Sequence, residues 1–480
     1  MALAFPKTNL TWAAWLGAAA LFWTWQRASW KRAFWLGWFA GAIFFAISFS
    51  WFGHTVGAFV GPFAPAIVLV PALAEGAFVG LAAILATLAY RYALPALAPL
   101  GAAAAFTIFE WFRSIGVLGV PFAQLGYSQA STPFVVFAAY AGTYGLTFVL
   151  CTVAAYVADT AVRRRVRPLA LALVSLMLLF FAAWSAWPAR QPAPPTIRVA
   201  AVQGDIAQSL KWTPQALQLA VGRYERLTRS LTAFHPKLVV WPETVITTVL
   251  NRSPQLEGSF GRLAASLGAT LVVGSLDVRA GKLYNALFIF APNGRLQAIY
   301  RKRQLVPFAE SFPGKSFLGW LPYVGKLVGG FSHGHTNGVY PSAALPFAPL
   351  ICWESAFSDL TDVQVRRGAQ LLVISTDDAW FGRSAGPYQH AQIAQLRAVE
   401  YGQWVVRAAA TGVSGIIAPN GRYVTQTTLD TQTVATGVVG PPTGSVFAHL
   451  GPTTIGFALI ALYVGVLLLG LLRVEPRDAP

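Results

Sequence analysis

Three residues combine a reactive side chain with a setting that suits catalysis. Glu243 ends the run Val239-Val-Trp-Pro-Glu243, Lys302 lies within Tyr300-Arg-Lys-Arg-Gln304, and Cys352 closes Leu350-Ile-Cys352. Each follows a strand-like stretch, and catalytic groups of open α/β sheets collect at strand ends. A cysteine attacks as its thiolate, whereas a free thiol is mostly protonated at neutral pH. A carboxylate within reach can take that proton as general base. A lysine ammonium can stabilise the thiolate and then the oxyanion of a tetrahedral intermediate. Singly, each residue has a plainer reading: the Cys as core packing, the Lys as a solvated face, the Glu as a turn cap. Together they point to nucleophilic acyl chemistry. Histidine-based alternatives have less support, because His235, His333, His335 and His390 lack a nucleophile-elbow context. His333-x-His335 is a weak metal pair, and Gly314-Lys315-Ser316 lacks the upstream glycine of a phosphate loop. Neither a metal nor a cofactor is expected.

The elements that must position these residues lie between 197 and 440. Ile197–Gln203, Lys237–Trp241, Thr270–Gly274 and Gln370–Ser375 read as buried strands, with Trp404–Arg407 after them. Asn293-Gly294 and Asn420-Gly421 mark two hairpins. Amphipathic helical segments fall near 213–233, 254–267, 357–367 and 386–401. Strands interleaved with helices predict a layered α/β domain.

The rest of the chain is of another kind. The 480 residues are 55% hydrophobic and only 11% charged, with a mean hydropathy of +0.54. A soluble domain does not normally combine these values, and 14% aromatic residues exclude a disordered chain. Seven stretches nearly free of charge predict membrane spans, at 11–26, 33–52, 66–90, 95–112, 133–158, 168–187 and 452–472. The first is short and Glu75 interrupts the third. Residues 1–187 thus form a membrane domain of about six spans, 188–196 a Pro-rich linker, 197–440 the catalytic domain, 450–472 a last span and 473–480 a tail. Arg27, Lys31, Arg32, Arg91, Arg163, Arg164, Arg165, Arg167, Arg473 and Arg477 fall on one side if the spans alternate. That side is the cytoplasm by the positive-inside rule, so the tail is cytoplasmic and the catalytic domain faces the periplasm. The net charge of +17 divides into +7 for the membrane parts and +10 for 188–450. The first share is topology, so nucleic acid is not an expected partner. Cys151 and Cys352 are too far apart in sequence and setting to suggest a disulfide framework.

Glu243, Lys302 and Cys352, in that order, resemble the Glu-Lys-Cys triad of the nitrilase superfamily, whose domain is an αββα sandwich. With spans before it and one after, the arrangement resembles the apolipoprotein N-acyltransferases. The matching motifs are Val202–Trp212, Val240–Glu243, Arg303–Glu310, Ile351–Glu354, Asp378–Gly382 and Leu396–Glu400, with Glu110–Arg113 and Phe122–Ser128 in the membrane part. Asp377, Ala309, Trp353 and Ala410 depart from the usual Asn, Gly, Tyr and Asn. These departures bear on substrate contacts and rates rather than on the reaction type. The family usually has eight spans with both termini inside. The resemblance therefore implies that either one span is absent here or the start lies further upstream.

The resemblance implies a multi-pass enzyme of the bacterial inner membrane. It would move a fatty acyl chain from a phospholipid such as phosphatidylethanolamine to the α-amino group of a diacylglyceryl apolipoprotein. Glu243 is then the base, Cys352 the thioester-forming nucleophile and Lys302 the oxyanion stabiliser. Glu310 and Glu354 are supporting candidates, the former orienting Lys302 as a second glutamate does in nitrilase-like sites. Trp212, Trp380 and Tyr388 are candidates for the acyl pocket. The Gly-rich stretch Phe312–Gly330, with Lys315 and Lys326, reads as an arm touching the bilayer. One rival reading is a membrane-anchored amidase in which water replaces the amine. Another is a transporter with an attached binding domain, against which stands the lack of an internal repeat.

Overall fold

The computed structural model describes residues 1–53, 64–190, 194–307, 309–311 and 330–472. The expected arm, with Lys315 and Lys326, lies outside the described residues except for Gly330, as do Arg473, Arg477 and part of the Pro-rich linker. Helices stand at all seven expected spans: α1 (Trp12–Trp25), α2 (Trp30–Ser48), α3 (Ala64–Tyr92), α4 (Ala98–Phe112), α5 (Ala138–Arg163), α6 (Val166–Ala186) and, at the far end of the chain, Val446–Leu471. Those at Ala66–Tyr92, Pro133–Arg163, Val166–Ala186 and Val446–Leu471 are long and apolar enough to cross a bilayer. By contrast, α1 has 14 residues and α4 has 15. At 1.5 Å per residue they reach only about 20 Å of a roughly 30 Å hydrocarbon layer. α2 opens with Lys31 and Arg32 in its first turn.

Between the spans lie β1 (Ile197–Gln203), α7 (Pro214–Arg229), β2 (Leu238–Val240), β3 (Ile246–Val249), α8 (Pro254–Leu267), β4 (Thr270–Arg279), β5 (Lys282–Phe290) and β6 (Leu296–Arg301). There follow β7 (Phe347–Ile351), α9 (Ser358–Arg366), β8 (Leu371–Thr376), α10 (Gly386–Tyr401), β9 (Trp404–Ala409), β10 (Gly415–Ile417), β11 (Tyr423–Gln426) and β12 (Thr433–Val439), and then α11, the last span. One sheet runs β12-β1-β2-β4-β5-β6 with β3 beside β4, and the other runs β11-β10-β9-β8-β7. The strands β1-β2-β4 in the middle of the first sheet and β9-β8-β7 at one edge of the second are parallel. Because strand side chains alternate faces, each sheet splits its apolar residues between two cores. Val199, Val240 and Val272 meet Leu371, Val373 and Val406 between the sheets. On the outer face of the first sheet, Val239 and Val273 pack with Tyr224 of α7 and Phe260 of α8. Leu372 and Ile374 of the second sheet pack with Ala394 and Ala398 of α10. The four layers are helix, sheet, sheet, helix, as the αββα expectation requires.

Both hairpins share the pentapeptide Ala-Pro-Asn-Gly-Arg, at 291–295 and 418–422. Proline has no N–H to donate from the position flanking Asn-Gly, which disfavours a two-residue type I′ turn there. The chain instead closes with Gly294 N–H on Ala291 O (2.8 Å) and Gly421 N–H on Ala418 O (2.8 Å), and each glycine adopts a left-handed φ, +83° and +80°.

Membrane helices and catalytic domain share one apolar core. Trp353, Phe357, Ile393, Leu396 and Tyr401 belong to the same buried cluster as the helices α1–α5 and α11.

Candidate active site

Four strand ends converge on the site. β2 runs out into Trp241-Pro-Glu243, β6 into Lys302, β7 into Cys352 and β8 into Asp377-Asp378. Pro242 crosses β4 so closely that a Cβ on Gly274 would collide with its carbonyl oxygen, so a glycine is required where Glu243 is delivered. Cys352 follows its strand in a left-handed conformation, φ +50°. Such a φ is strained for a residue with a Cβ and persists only where surroundings impose it.

Glu243 and Lys302 are buried, with Lys302 Nζ 2.8 Å from Glu243 Oε1. Lys302 also lies 2.9 Å from Glu310 Oε2. Asn285 Nδ2 joins the two carboxylates, donating to Glu243 Oε1 at 2.7 Å and to Glu310 Oε1 at 3.1 Å. The backbone N–H of Asp377 donates to Glu243 Oε2 at 2.9 Å. Burial works against the Glu243 carboxylate, but Lys302 and its hydrogen bond outweigh it and hold the group below its ordinary value. Burial likewise opposes the Lys302 charge, and Glu243 and Glu310 overcome this to hold it well above. Burial first, then the Glu243 charge, push the Cys352 thiol well up. At neutral pH the site therefore holds a carboxylate, an ammonium and a protonated thiol. That is the state in which a general base can take the thiol proton as a substrate is attacked.

Glu354, fully buried, accepts from Ile351 N at 2.7 Å, Arg303 N at 2.6 Å and Gln304 N at 3.2 Å, and from Tyr300 OH at 2.9 Å. It ties the end of β7 to the segment carrying Lys302. It thereby aligns the two segments. Burial leads the upward shift of its carboxyl.

Of the acyl-pocket candidates, Trp212 is 54% exposed just before α7. Trp380 is half-buried in the turn Asp378–Phe381, and Tyr388 half-buried in the first turn of α10. His333 Nδ1 lies 2.7 Å from Arg303 O, so it braces the Lys302 segment.

Sequence reasoning passed over several polar residues here. Asn285 stands alone in an apolar strand, a signal that could have drawn attention to it. Lys211, next to the nominated Trp212, is buried and ion-paired to Asp377. His390, set aside above, lies beneath Cys352 with Ser355, Asp378 and Arg407.

From the membrane side, Phe122 stacks on Trp353, the residue after the nucleophile candidate, at 4.9 Å and 12°. Arg113 holds the Phe122 carbonyl at 2.8 Å and pairs with Glu75 at 3.0 Å. Glu110 accepts from Leu125 N at 2.7 Å and Thr147 Oγ1 at 2.6 Å. The two intramembrane carboxylates thus brace the loop that carries Phe122.

The comparisons fit both halves of this arrangement. Residues 1–156 match the description of the apolipoprotein N-acyltransferase N-terminal domain, and 198–443 that of the carbon-nitrogen hydrolases. The apolipoprotein N-acyltransferase of Geobacter metallireducens is 32% identical, over 96% of this chain and 91% of its own. The chain belongs to the apolipoprotein N-acyltransferase family. Further members are similar at comparable distance. That of Pseudomonas putida is 31% identical over 89% of this chain and 86% of its own, and that of Coxiella burnetii 29% over 92% of each. Among solved structures, a nitrilase-superfamily amidase from Nesterenkonia aligns with 56% of this chain and 98% of its own, at 15% identity and a TM-score of 0.43.

Proposed function

We propose that this member of the family transfers a fatty acyl chain from a membrane phospholipid to the amino terminus of an apolipoprotein's diacylglyceryl-cysteine. Phosphatidylethanolamine is the proposed donor, and the site faces the periplasm from the inner membrane. The carrying observation is the buried Glu243–Lys302–Glu310 cluster beside a cysteine whose neighbour, Trp353, packs on a loop of the membrane domain.

In the first half-reaction Glu243 takes the Cys352 proton and sulfur attacks the ester carbonyl. Lys302 stabilises the oxyanion, the carbon–oxygen bond breaks, and the lysophospholipid leaves with the proton returned by Glu243. The thioester that remains is attacked by the apolipoprotein amine, which loses its proton to Glu243. The carbon–sulfur bond then breaks, giving amide and free thiol. No external energy source is needed, since a thioester is more reactive than the amide that replaces it. Glu310 fixes Lys302, and Glu354 keeps Cys352 and Lys302 in register.

Intact-protein mass spectrometry after incubation with phosphatidylethanolamine tests this. One added fatty acyl mass, labile to hydroxylamine and absent from Cys352→Ala, is expected, and Glu243→Gln should slow its formation by at least about 100-fold. Consumption of a lipopeptide by the adduct completes the reading. Free fatty acid in place of acylated lipopeptide would favour a hydrolase instead.

A further inference from the structure

Beneath the nucleophile lies a buried polar cluster that the reaction as written does not use. His390 is fully buried in α10. Its Nδ1 lies 2.9 Å from Asp378 Oδ1, and its Nε2 lies 2.8 Å from Ser355 Oγ and 3.2 Å from the carbonyl oxygen of Cys352. Ser355 Oγ donates to the same carbonyl at 2.8 Å. Asp378 is held in turn by Arg407 Nη2 at 2.8 Å and Thr376 Oγ1 at 2.9 Å, and the Thr376 hydroxyl also meets the Cys352 thiol. Phe122 and Phe381 pack against the imidazole, with ring centroids 5.8 and 6.1 Å away.

A carboxylate only accepts, so Nδ1 donates to Asp378. Nε2 faces both Ser355 Oγ and Cys352 O, and the serine hydroxyl lies within hydrogen-bond reach of the ring and of that carbonyl. The Cys352 carbonyl therefore sits against a serine hydroxyl and an imidazole that Asp378 anchors to Arg407. This is the peptide unit whose orientation follows from the strained φ of +50°. A left-handed non-glycine residue relaxes unless its peptide groups are held.

We propose that His390 is a positioning residue for the nucleophile. With Ser355 it holds the Cys352 carbonyl, and so keeps that residue in the left-handed conformation that sets its thiol beside Glu243 and Lys302. The inference rests on Cys352 being the nucleophile, as proposed above. It adds a third support to the sulfur: Glu354 fixes the strand before it, Trp353 and Phe122 the side toward the membrane, and His390 the peptide beneath.

The test uses the full chain in detergent micelles and two readouts. One is the rate of Cys352 alkylation by iodoacetamide, located by peptide mapping; the other is single-turnover acylation by phosphatidylethanolamine. For His390→Ala both rates should fall by about 10- to 100-fold, the range expected of a misplaced reacting group. His390→Gln, whose amide can still donate toward Cys352 O, should recover most of both rates, although its melting temperature falls as much as that of His390→Ala. Parent-like alkylation of His390→Ala overturns the proposal, as do rates for the two variants that simply track melting temperature. Should the alanine variant fail to fold, Ser355→Ala carries the test, with a 3- to 10-fold slowing expected and a parent rate overturning. An alkylation defect in His390→Ala with no acyl adduct in the parent would support the positioning role and count against the acyl donor instead.

Discussion

Proton affinity around Glu243 is set by neighbours on four separate strands and loops, and it fixes the pH behaviour. Its carboxyl lies below the ordinary 4.5 because Lys302 outweighs burial, so the group is ionised throughout the neutral range, as the proposed base must be. The rate of acyl-enzyme formation should stay level from about pH 8 down to about pH 5 and fall only below that. A stopped acylation series read by mass spectrometry measures it, and an acid limb near pH 7 would contradict the assignment. The sign for stability is the same. A carboxyl depressed on folding adds stability above its unfolded value, and that contribution is lost as pH falls through the folded value. Lys211 and Asp377 form a second buried pair one peptide away from Glu243. Lys211→Met leaves Asp377 charged and alone, which should cost about 3–5 kcal/mol. The double variant Lys211→Met/Asp377→Asn should regain most of it in thermal denaturation, because no buried charge is then unpaired.

Among the elements, the approach of the Pro242–Glu243 corner to β4 is the tightest constraint on the site. A methyl group on Gly274 would strike the Pro242 carbonyl, and strand β4 cannot yield because it is paired to β2 and β5 on its two sides. Gly274→Ala should therefore move Glu243 rather than the sheet. An acylation rate down by about 100-fold is expected, with a stability loss of only about 1–3 kcal/mol. A variant that melts earlier but acylates at the parent rate would show that the corner is not what places the base. Helix α10 is constrained differently. One face lies in the core behind the second sheet, while the other meets α5, so a single helix carries His390 toward Cys352 and Arg397 and Glu400 toward the membrane domain.

Taken whole, the molecule joins its two halves through buried polar contacts as well as through a common apolar core. Glu400 Oε1 accepts from both the backbone N–H and the hydroxyl of Thr143, each at 2.7 Å, and Arg397 pairs with Glu400 at 3.0 Å. Trp51 Nε1 donates to Gln389 Oε1 at 3.1 Å, and Gln389 donates back to Ser48 O at 3.2 Å. Water cannot replace these partners where neither side is exposed, so losing one leaves a buried group unsatisfied. Glu400→Ala, which strands Arg397, should lower stability by about 3–5 kcal/mol. Tryptophan fluorescence and circular dichroism should then melt together, because the halves share a core. Separate transitions would mean that the halves unfold independently.

By itself the sequence determined the reactive residue types, their order, a layered α/β domain and the positions of the apolar helices, while the αββα order was implied by the family resemblance. The residue-level readings are local signals: the apolar run of β1, that of α6, or a strand followed by Pro-Glu. It also located both hairpins, though not the glycine-bulged geometry that Pro292 and Pro419 impose. Long-range pairing escaped it. β12 was not legible because its residues are mostly half-buried and patternless, and it becomes a strand by lying antiparallel to β1 across more than 200 residues. Only the tertiary structure decided that Asn285 bridges two glutamates, that Glu354 ties the end of β7 to the segment carrying Lys302, and that His390 sits under Cys352. A hydrogen bond between side chains far apart in sequence leaves no periodicity to read; it exists only once the strand ends and α10 are brought together by the burial of their apolar faces.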